Sequence, residues 1–257
     1  MRPRLHIALA FFSLPALCQS TSDLSFDVAS IKPSAPGLRG GIVRSLPGNQ
    51  TYIARNMPLR MIMTVAYTVT DRQIAGGPDW IANEPFDIEA KAERPHSTDE
   101  LHKMLQRLLE ERFQLKVRRE QRQLPVYALV VGNGSARLQE HDPEDIDHPP
   151  IGPGPNGRGL AGRNVSMPYF AFVLSRLLDR NVIDRTGLAG TYDLTLDYAR
   201  EQAVRIVGPG AAPAEPPGPE GPTIFQALRS QLGLRLESAK GPVDFLVIER
   251  VERPSAN

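Results

Sequence analysis

The fold is decided by residues 97–131, STDELHKMLQRLLEERFQLKVRREQRQLPVYALVV. Ser97 and Glu100 have the spacing of a helix capping box, in which each residue satisfies a backbone group of the other. The leucines and methionine that follow recur at helical period, so a helix is predicted from Ser97 to about Arg112.

The residues after this helix predict two strands. Residues 114–122 alternate between apolar and charged side chains, which is typical of a half-exposed strand. Leu124-Pro125 predicts a turn, and the apolar run 126–131 predicts a more buried strand. The unit is therefore helix, strand, turn, strand.

The same unit recurs near the C-terminus. Pro222 begins an apolar helix, Gly233 is placed to end it, and residues 234–237 alternate as a strand does. Gly241-Pro242 predicts a turn before a final strand, 243–251. Each apolar position of the first unit has a counterpart in the second.

The segments upstream of the two units also repeat. In each half an Arg-Asn dipeptide and an Asp-Arg dipeptide flank a proline-started apolar helix at the same separation. They are Arg55-Asn56 and Asp71-Arg72 in the first half, and Arg163-Asn164 and Asp179-Arg180 in the second. A further strand follows in each half, 86–90 and 192–196. We predict an α+β fold of two similar halves, each roughly β-α-β-β-α-β-β, with antiparallel-rich mixed sheets and helices packed on one face.

The halves are residues 21–131 and 160–257. Between them, residues 132–159 are rich in Gly, Pro and acidic residues and predict a linker or long loop. Residues 207–222, VGPGAAPAEPPGPEGP, predict a proline-rich loop insertion before the last helix.

Composition excludes several classes of protein. Lys and Arg number 30 against 29 Asp and Glu, so no charge excess points to nucleic acid or an anionic membrane. The single cysteine excludes an intrachain disulfide and a cysteine-based metal site.

Residues 1–20, MRPRLHIALAFFSLPALCQS, predict a secretory signal peptide. Arg2 and Arg4 precede an apolar run that is too short to span a bilayer. Cys18 raises the alternative of a lipid anchor, but Leu17 stands where lipoprotein signals have a small residue. We expect an exported chain, periplasmic or extracellular, with no membrane span after the signal is removed.

Five stretches follow one another along the chain: FDVASIKPS (26–34), GGPDWIANEPFDIEAKA (76–92), LLEERFQLKVRREQRQLPVYALVV (108–131), VIDRTGLAGTYDLTLDY (182–198) and TIFQALRSQLGLRLESAKGPVDFLVIERVERPSAN (223–257). Together they resemble DUF3738, the "soil-associated" family of exported proteins abundant in Acidobacteria. The resemblance implies an exported α+β domain, sometimes appended to BlaR-like membrane metallopeptidases, and it brings no catalytic residues. Each helix–strand–turn–strand unit, and residues 224–248 in particular, is also similar to the short N-terminal domain of secretins and TonB-dependent receptors.

The common signatures of catalysis are missing from the sequence. It has no G-x-S-x-G elbow, H-E-x-x-H helix, P-loop or G-x-G-x-x-G turn. His96 and His102 do not have metal-ligand spacing. No cofactor is predicted.

The most distinctive polar segment is DRTGLAGTYD, residues 184–193. Asp184 and Asp193 are candidate paired carboxylates for acid–base catalysis if the connection folds back on itself. The alternative, which the pattern favours, is a turn in which Asp184 and Arg185 tie the loop by hydrogen bonds. The candidate binding residues of this segment are Asp184, Arg185 and Tyr192.

Two further candidates lie elsewhere. Trp80 follows a glycine-rich loop, where it either contacts a ligand or packs over the core, and packing is the commoner outcome. An acidic run supplies oxygen and imidazole ligands for a divalent cation, namely His141, Asp142, Asp145 and His148. A solvated linker is favoured there, because flexible ligands must be ordered before they bind.

The leading functional hypothesis is a non-enzymatic binding or interaction module of the cell envelope. Its partner would be a peptide, a protein or an envelope polymer, bound at an exposed strand edge or in the cleft between the halves. One alternative is an envelope hydrolase that uses Asp184 and Asp193 with Glu89 or Glu237. Another is an extracytoplasmic sensor domain that acts with a membrane partner on a different chain.

Overall fold

The computed structural model describes residues 24–46, 48–142, 151–199 and 221–254. The predicted signal peptide and almost all of the proline-rich insertion lie outside these residues. We call residues 24–131 the first segment and residues 132–254 the second segment.

The described part of the first segment contains six strands and three α-helices, with a 3-10 helix, Asp71–Gln73, between α1 and β4. They are β1 (Val28–Pro33), β2 (Ile42–Ser45), β3 (Thr51–Pro58), α1 (Leu59–Ala66), β4 (Ile74–Ala75), α2 (Trp80–Asn83), β5 (Pro85–Lys91), α3 (Thr98–Phe113) and β6 (Lys116–Val131). The predicted capping box is present, since the Ser97 hydroxyl accepts from the Glu100 N–H and the Glu100 carboxylate accepts from the Ser97 N–H. Gln114 ends α3 in the left-handed conformation.

The described part of the second segment contains six strands and two α-helices, in an order that differs from the first by lacking a counterpart of α2. They are β7 (Gln139–Glu140), β8 (Gly152–Pro153), β9 (Leu160–Ser166), α4 (Met167–Leu177), β10 (Val182–Asp184), β11 (Thr191–Leu196), α5 (Ile224–Ala227) and β12 (Leu234–Arg250). A π-helix, Leu228–Leu232, continues α5, and Gly233 ends it with a φ of 67°. Strands β7 and β8 lie in the stretch predicted as a linker.

The strands form three four-stranded sheets. The first segment contributes β1-β5-β3-β2, the second contributes β7-β11-β9-β8 in the same relative order, and the central sheet is β10-β6-β12-β4. The two outer sheets are antiparallel, whereas β10 and β4 pair in parallel with the central strands. The α+β class with mixed sheets is therefore confirmed.

The central sheet is organised around β6 and β12, which we call the ribbon. They pair antiparallel from Lys116–Arg250 to Val131–Leu234, with Leu124 opposite Gly241. The turns predicted at Leu124-Pro125 and Gly241-Pro242 are wrong, because each stretch runs through as one long strand.

Pairing between the segments explains why these prolines do not turn the chain. Pro125 lies opposite Lys240, and Pro242 lies opposite Gln123. The outer strands β10 and β4 pair only with residues 127–129 and 246–247, so no strand covers the outer side of either proline. A proline is tolerated where no partner strand needs its missing N–H.

The molecule has two hydrophobic cores, and the ribbon connects them. The first core packs α1 and α3 against the first outer sheet, and the second packs α4 and α5 against the other. Leu246 of β12 is fully buried in the first core, and Leu129 of β6 is fully buried in the second. Each segment thus completes the core of the other.

The matched strand orders agree with the expected internal repeat, but the duplication itself and the domain boundaries stay predictions. Within the described ranges, no helix is long and apolar enough to cross a membrane.

Candidate functional site

A cleft of about 430 Å³ opens where the two segments meet at the ribbon. The loop after α1, the start and face of α4, and the middle of the ribbon form its walls. Its lining includes Tyr67, Thr68, Gln73, Arg119, Gln121, Phe172, Asn181, Val243 and Asp244. The volume is within the range of roughly 300–1,000 Å³ that small-ligand sites occupy.

The floor of the cleft is a hydrogen-bonded amide pair, one residue from each segment. Asn181 Nδ2 donates to Gln73 Oε1 at 2.5 Å, and Gln73 Nε2 donates to the Asp244 carbonyl at 2.8 Å. Gln73 Oε1 also accepts from the N–H and hydroxyl of Thr70. Because all these groups are engaged, the floor is rigid.

Arg72 fastens the first segment to the end of α4. Its guanidinium donates to the carbonyls of Ser175 at 2.8 Å and of Leu178 and Asp179 at 3.3 Å. It also donates to Asn181 Oδ1 at 3.1 Å. A cation at a helix C-terminus is favourable because the last carbonyls carry partial negative charge. The cleft is therefore held at a fixed width by both segments.

Tyr67 contributes a polar group that the fold leaves unsatisfied. Its side chain is buried, and in the described part of the chain its hydroxyl has no hydrogen-bond partner. Burial, assisted by the negative charge of Glu110 and opposed by Arg119, raises the pKa of Tyr67 above its ordinary value. The phenol is consequently neutral at physiological pH and keeps an unused hydrogen-bond donor just beneath the cleft wall.

Thr68 holds a strained backbone conformation at the cleft wall. Its φ is 52°, in the left-handed region. The Thr68 N–H donates to Val65 O and the Val69 N–H to Thr64 O, which is the Schellman ending of a helix with threonine where glycine is usual. A β-branched residue at positive φ costs on the order of 1–3 kcal/mol.

The rim of the cleft carries charged and amide groups from the ribbon. Gln121 Nε2 donates to Asp244 Oδ1 at 3.2 Å, and Arg119 lies 3.9 Å from the other carboxylate oxygen. Both Arg119 and Asp244 are about half exposed. These groups can therefore exchange their mutual contacts for contacts with a ligand.

The two aspartates predicted as paired carboxylates lie on different sheets, with different partners. Asp184, at the end of β10, accepts from the N–H and hydroxyl of Thr186 at 2.9 and 2.8 Å. Asp193, on β11, accepts from the Asn164 N–H at 3.2 Å and contacts His141 Nδ1 at 2.7 Å. Asp184 therefore holds the turn that follows it, whereas Asp193 connects β11 to Asn164 and His141. The catalytic pairing of the two aspartates stays a prediction.

The remaining acidic candidates of the hydrolase hypothesis are ion-paired. Glu89 binds Arg55 at 2.5 Å, and Glu237 binds Arg235 at 2.8 Å. All four side chains are roughly half exposed. Their catalytic use remains a prediction without a supporting contact.

Only part of the predicted metal run can be placed. His141 is buried against Asp193, and Asp142 follows it on the surface. Asp145 and His148 lie outside the described residues. Within residues 24–46, 48–142, 151–199 and 221–254, no group of three or more His, Cys, Asp or Glu side chains could hold a metal ion.

The predicted binding residues do not converge on the cleft. Trp80 stacks on Phe113 with ring centroids 6.4 Å apart and lies edge-on to Phe86, so it packs over the first core. Arg253 covers its outer face at 5.1 Å. Tyr192 is buried in the second core, and Arg185 is exposed beyond β10.

A comparison with protein-family models gives one match. The model described as "Protein of unknown function (DUF3738)" matches residues 60–251, which is most of the chain. The chain belongs to this family.

No curated protein and no solved structure matches this DUF3738 chain. The match starts within α1 and ends after β12, so it includes both walls of the cleft. The soil-associated label and the similarity to the secretin domain stay predictions.

Sequence reasoning about this DUF3738 chain missed Tyr67, Thr68 and Gln73. One signal was present, since Gln73 and Asn181 follow the repeated Asp-Arg dipeptides at the same offset. Residues at equivalent positions of two similar segments meet if a two-fold axis passes between them. The strain at Thr68 left no such signal, because it appears only once the helix end is known.

Proposed function

We propose that the protein is an exported, non-enzymatic binding module of the cell envelope, and that its ligand binds in the cleft between the segments. The observation that carries this proposal is that two costly features are adjacent in one wall of the cleft: the unsatisfied hydroxyl of Tyr67 and the strained backbone of Thr68. A buried hydroxyl without a partner costs on the order of 1–3 kcal/mol. Strain and unsatisfied polar groups persist mainly where function requires them.

The lining favours a ligand that carries amide groups. Tyr67, Arg119 and Gln121 can donate hydrogen bonds, Asp244 can accept them, and Phe172 with Val243 supplies apolar contact. An amide presents one donor and one acceptor close together, so it matches both kinds of group. Short peptides and the peptide portions of envelope polymers have this chemistry.

The binding test uses an array of short peptides and peptide-bearing glycan fragments, followed by calorimetric titration of each hit. The variant Gln121→Trp fills the mouth of the cleft. Its matched control is Gln123→Trp, because Gln123 is exposed on the same strand and does not line the cleft. We expect Gln121→Trp to abolish binding and Gln123→Trp to leave it intact.

A second variant tests the role of the unsatisfied hydroxyl. Tyr67→Phe removes only that group, so we expect unchanged or slightly increased stability and an affinity about tenfold lower. A hydroxyl with no ligand role would leave the affinity unchanged. Absence of any saturable ligand from the array, or equal binding by both tryptophan variants, would overturn the proposal.

Export is tested separately by expressing the chain with its own N-terminus in a Gram-negative host. We expect the protein in the periplasmic or external fraction, with its first residues removed after cleavage near Ser20. Recovery of the intact polypeptide, beginning at Met1, from the cytosol would contradict export and leave the cleft proposal standing.

A further inference from the structure

A second cavity, of about 550 Å³, lies at the end of the ribbon that joins Val131 to Leu234. We call it the arginine pocket. Its lining consists of the loop Gly132–Asn133–Gly134–Ser135 and four residues around it: Arg137, Arg229, Gly233 and Arg235. None of these residues lines the cleft described above.

The backbone of the arginine pocket depends on glycine. Gly132 N–H donates to the Gly233 carbonyl at 2.8 Å, which brings the loop against the end of the π-helix. A Cβ on Gly233 would lie 2.7 Å from Ser135 O, and one on Gly132 would lie 3.1 Å from Gly233 O. Gly233 also has a φ of 67°. Larger residues at these positions would push the loop away and open the pocket.

The charges in the arginine pocket do not balance. Three guanidinium groups line it, and the neighbouring carboxylate is Glu237, which binds Arg235 at 2.8 Å. Arg137 is held in place by donating to the Ser230 carbonyl at 2.7 Å. Arg229 has no hydrogen-bond or ion-pair partner within the described ranges. The pocket therefore has an excess of two positive charges.

Two local features indicate that this pocket is built for a ligand. The Nε of Arg235 is buried without a hydrogen-bond partner among the described residues. Such a charged donor is costly to leave unsatisfied, and a shift of the Arg235 side chain towards an anion in the pocket would satisfy it. Arg229 lies in the π-helix Leu228–Leu232, and π-turns are rare and concentrate at functional sites.

We propose that the arginine pocket binds a phosphoryl group, either inorganic phosphate or the phosphate ester of a larger molecule. Arginines from the residues after the loop, the π-helix and β12 line one pocket, and a phosphoryl group offers several oxygens in different directions. Arginine recognises such groups by paired hydrogen bonds. A carboxylate has two oxygens in one plane and engages fewer of the three side chains.

The test is calorimetric titration of the full chain with inorganic phosphate and, separately, with glycerol phosphate. Sodium acetate at matched ionic strength is the comparison ligand. We expect saturable binding of at least one phosphate compound and weaker binding of acetate. Tighter binding of inorganic phosphate indicates the free ion as ligand, and tighter binding of glycerol phosphate indicates an ester.

The variant Arg229→Gln removes one charge from an exposed residue and leaves the backbone unchanged. We expect an affinity for the preferred phosphate compound about tenfold lower, because a charge-assisted hydrogen bond is lost. Its control is Arg250→Gln, at the opposite end of the ribbon, which should bind as the wild type does.

Two results would overturn the phosphoryl proposal: no saturable binding of either phosphate compound, or equal affinities of wild type and Arg229→Gln. The cleft variant Gln121→Trp should retain phosphate binding. Failure at the cleft and failure at the arginine pocket can therefore be told apart.

Discussion

The two ends of the ribbon share one architecture and differ in charge. At each end, a leucine of one segment is buried in the core of the other, Leu246 at one end and Leu129 at the other. Around Leu246 the charges are paired, as in Arg118–Glu249 and Arg250–Glu252. Around Leu129 the arginine pocket carries three guanidinium groups and one neighbouring carboxylate.

This difference distinguishes features that the shared fold, here called the frame, requires from features that indicate a function. A feature that both ends share, such as the exchanged leucine, is required by the fold itself. A feature at one end alone, such as the unbalanced arginines, is not explained by the frame. The same reasoning applies to the loops after α1 and α4. The residue after the C-cap of α1, Thr68, is left-handed, whereas the residue after the C-cap of α4, Asp179, is not.

The largest effect on stability is expected from truncating Leu129 and Leu246, each of which is buried in the core of the other segment. Leu129→Ala and Leu246→Ala each leave a cavity in a fully buried site, so each should lower the free energy of unfolding by about 3 kcal/mol. Urea denaturation of the full chain measures both. Leu177→Ala is the control, because Leu177 is exposed and should change stability by less than about 0.5 kcal/mol.

The leucine comparison also tests whether the segments unfold together. If both variants shift a single transition by similar amounts, the exchanged strands couple the two cores into one cooperative unit. Two separate transitions, one for each variant, would show that the cores are independent and would contradict this account of the ribbon.

Local sequence signals predicted the frame well where the interactions are local. The capping box of Ser97 and Glu100 fixed the start of α3, and Gly233 marked the end of the last helix. The turn at Leu124-Pro125 was wrong because the partner of this strand lies more than a hundred residues away, where no local pattern reports it.

The candidate sites were harder to predict for the same reason. The cleft is assembled by contacts such as Arg72 to Leu178, which are 106 residues apart. The arginine pocket combines the loop 132–135, which was predicted to be part of a linker, with arginines that are far apart in the sequence. Candidate residues close together in sequence, such as Asp184 and Arg185, could be named from the sequence. In the structure Asp184 contacts Thr186 within a turn, and the Arg185 N–H donates to the Leu129 carbonyl on β6.

The second prediction concerns His102, which lies between aromatic rings of the two segments. Its ring is 6.2 Å from Tyr52 and 6.1 Å from Tyr169, centroid to centroid. Burial lowers the pKa of His102 from 6.5 to about 4, with Asp99 opposing the shift. The folded protein therefore binds this proton less readily than the unfolded chain does.

The direction of the pH dependence of stability follows from the lower pKa of His102 in the folded state. Well above pH 6.5 both states are neutral at His102 and stability does not depend on its titration. Stability falls as the pH drops through 6.5 towards 4. By pH 5 the loss should be about 2 kcal/mol relative to pH 7. Urea denaturation at both pH values of wild type and His102→Phe measures it. An equally large loss in the variant would rule out His102 as the cause.

The third prediction sharpens the comparison of the loops after α1 and α4. Thr68→Gly relieves the positive-φ strain, so it should raise the free energy of unfolding by about 1 kcal/mol. The control is Asp179→Gly, at the exposed position that follows the C-cap of α4 and has no positive φ, which should not stabilise. A destabilised Thr68→Gly would show that the threonine side chain contributes to folding rather than to the cleft.

The smallest effect is expected at two asparagines that both segments hold in the left-handed conformation. Asn56 and Asn164 have φ values of 51° and 54°, and their N–H groups donate to Asp87 and Asp193 at 2.9 and 3.2 Å. These positions are shared, so the backbone geometry belongs to the frame. The side chains differ in their contacts.

Asn56 Nδ2 donates to the carbonyls of Gly40 at 2.6 Å and Leu38 at 3.2 Å, whereas the Asn164 side chain is exposed and makes no such bond within the described residues. Glycine accepts positive φ without strain. Asn164→Gly should therefore change stability by less than about 0.5 kcal/mol, and Asn56→Gly should cost about 1–2 kcal/mol through its lost hydrogen bonds. Thermal denaturation of the two variants in parallel measures the difference. Equal effects would mean that the Asn56 contacts do not stabilise the loop before β2, and that this loop is held by its strand pairing alone.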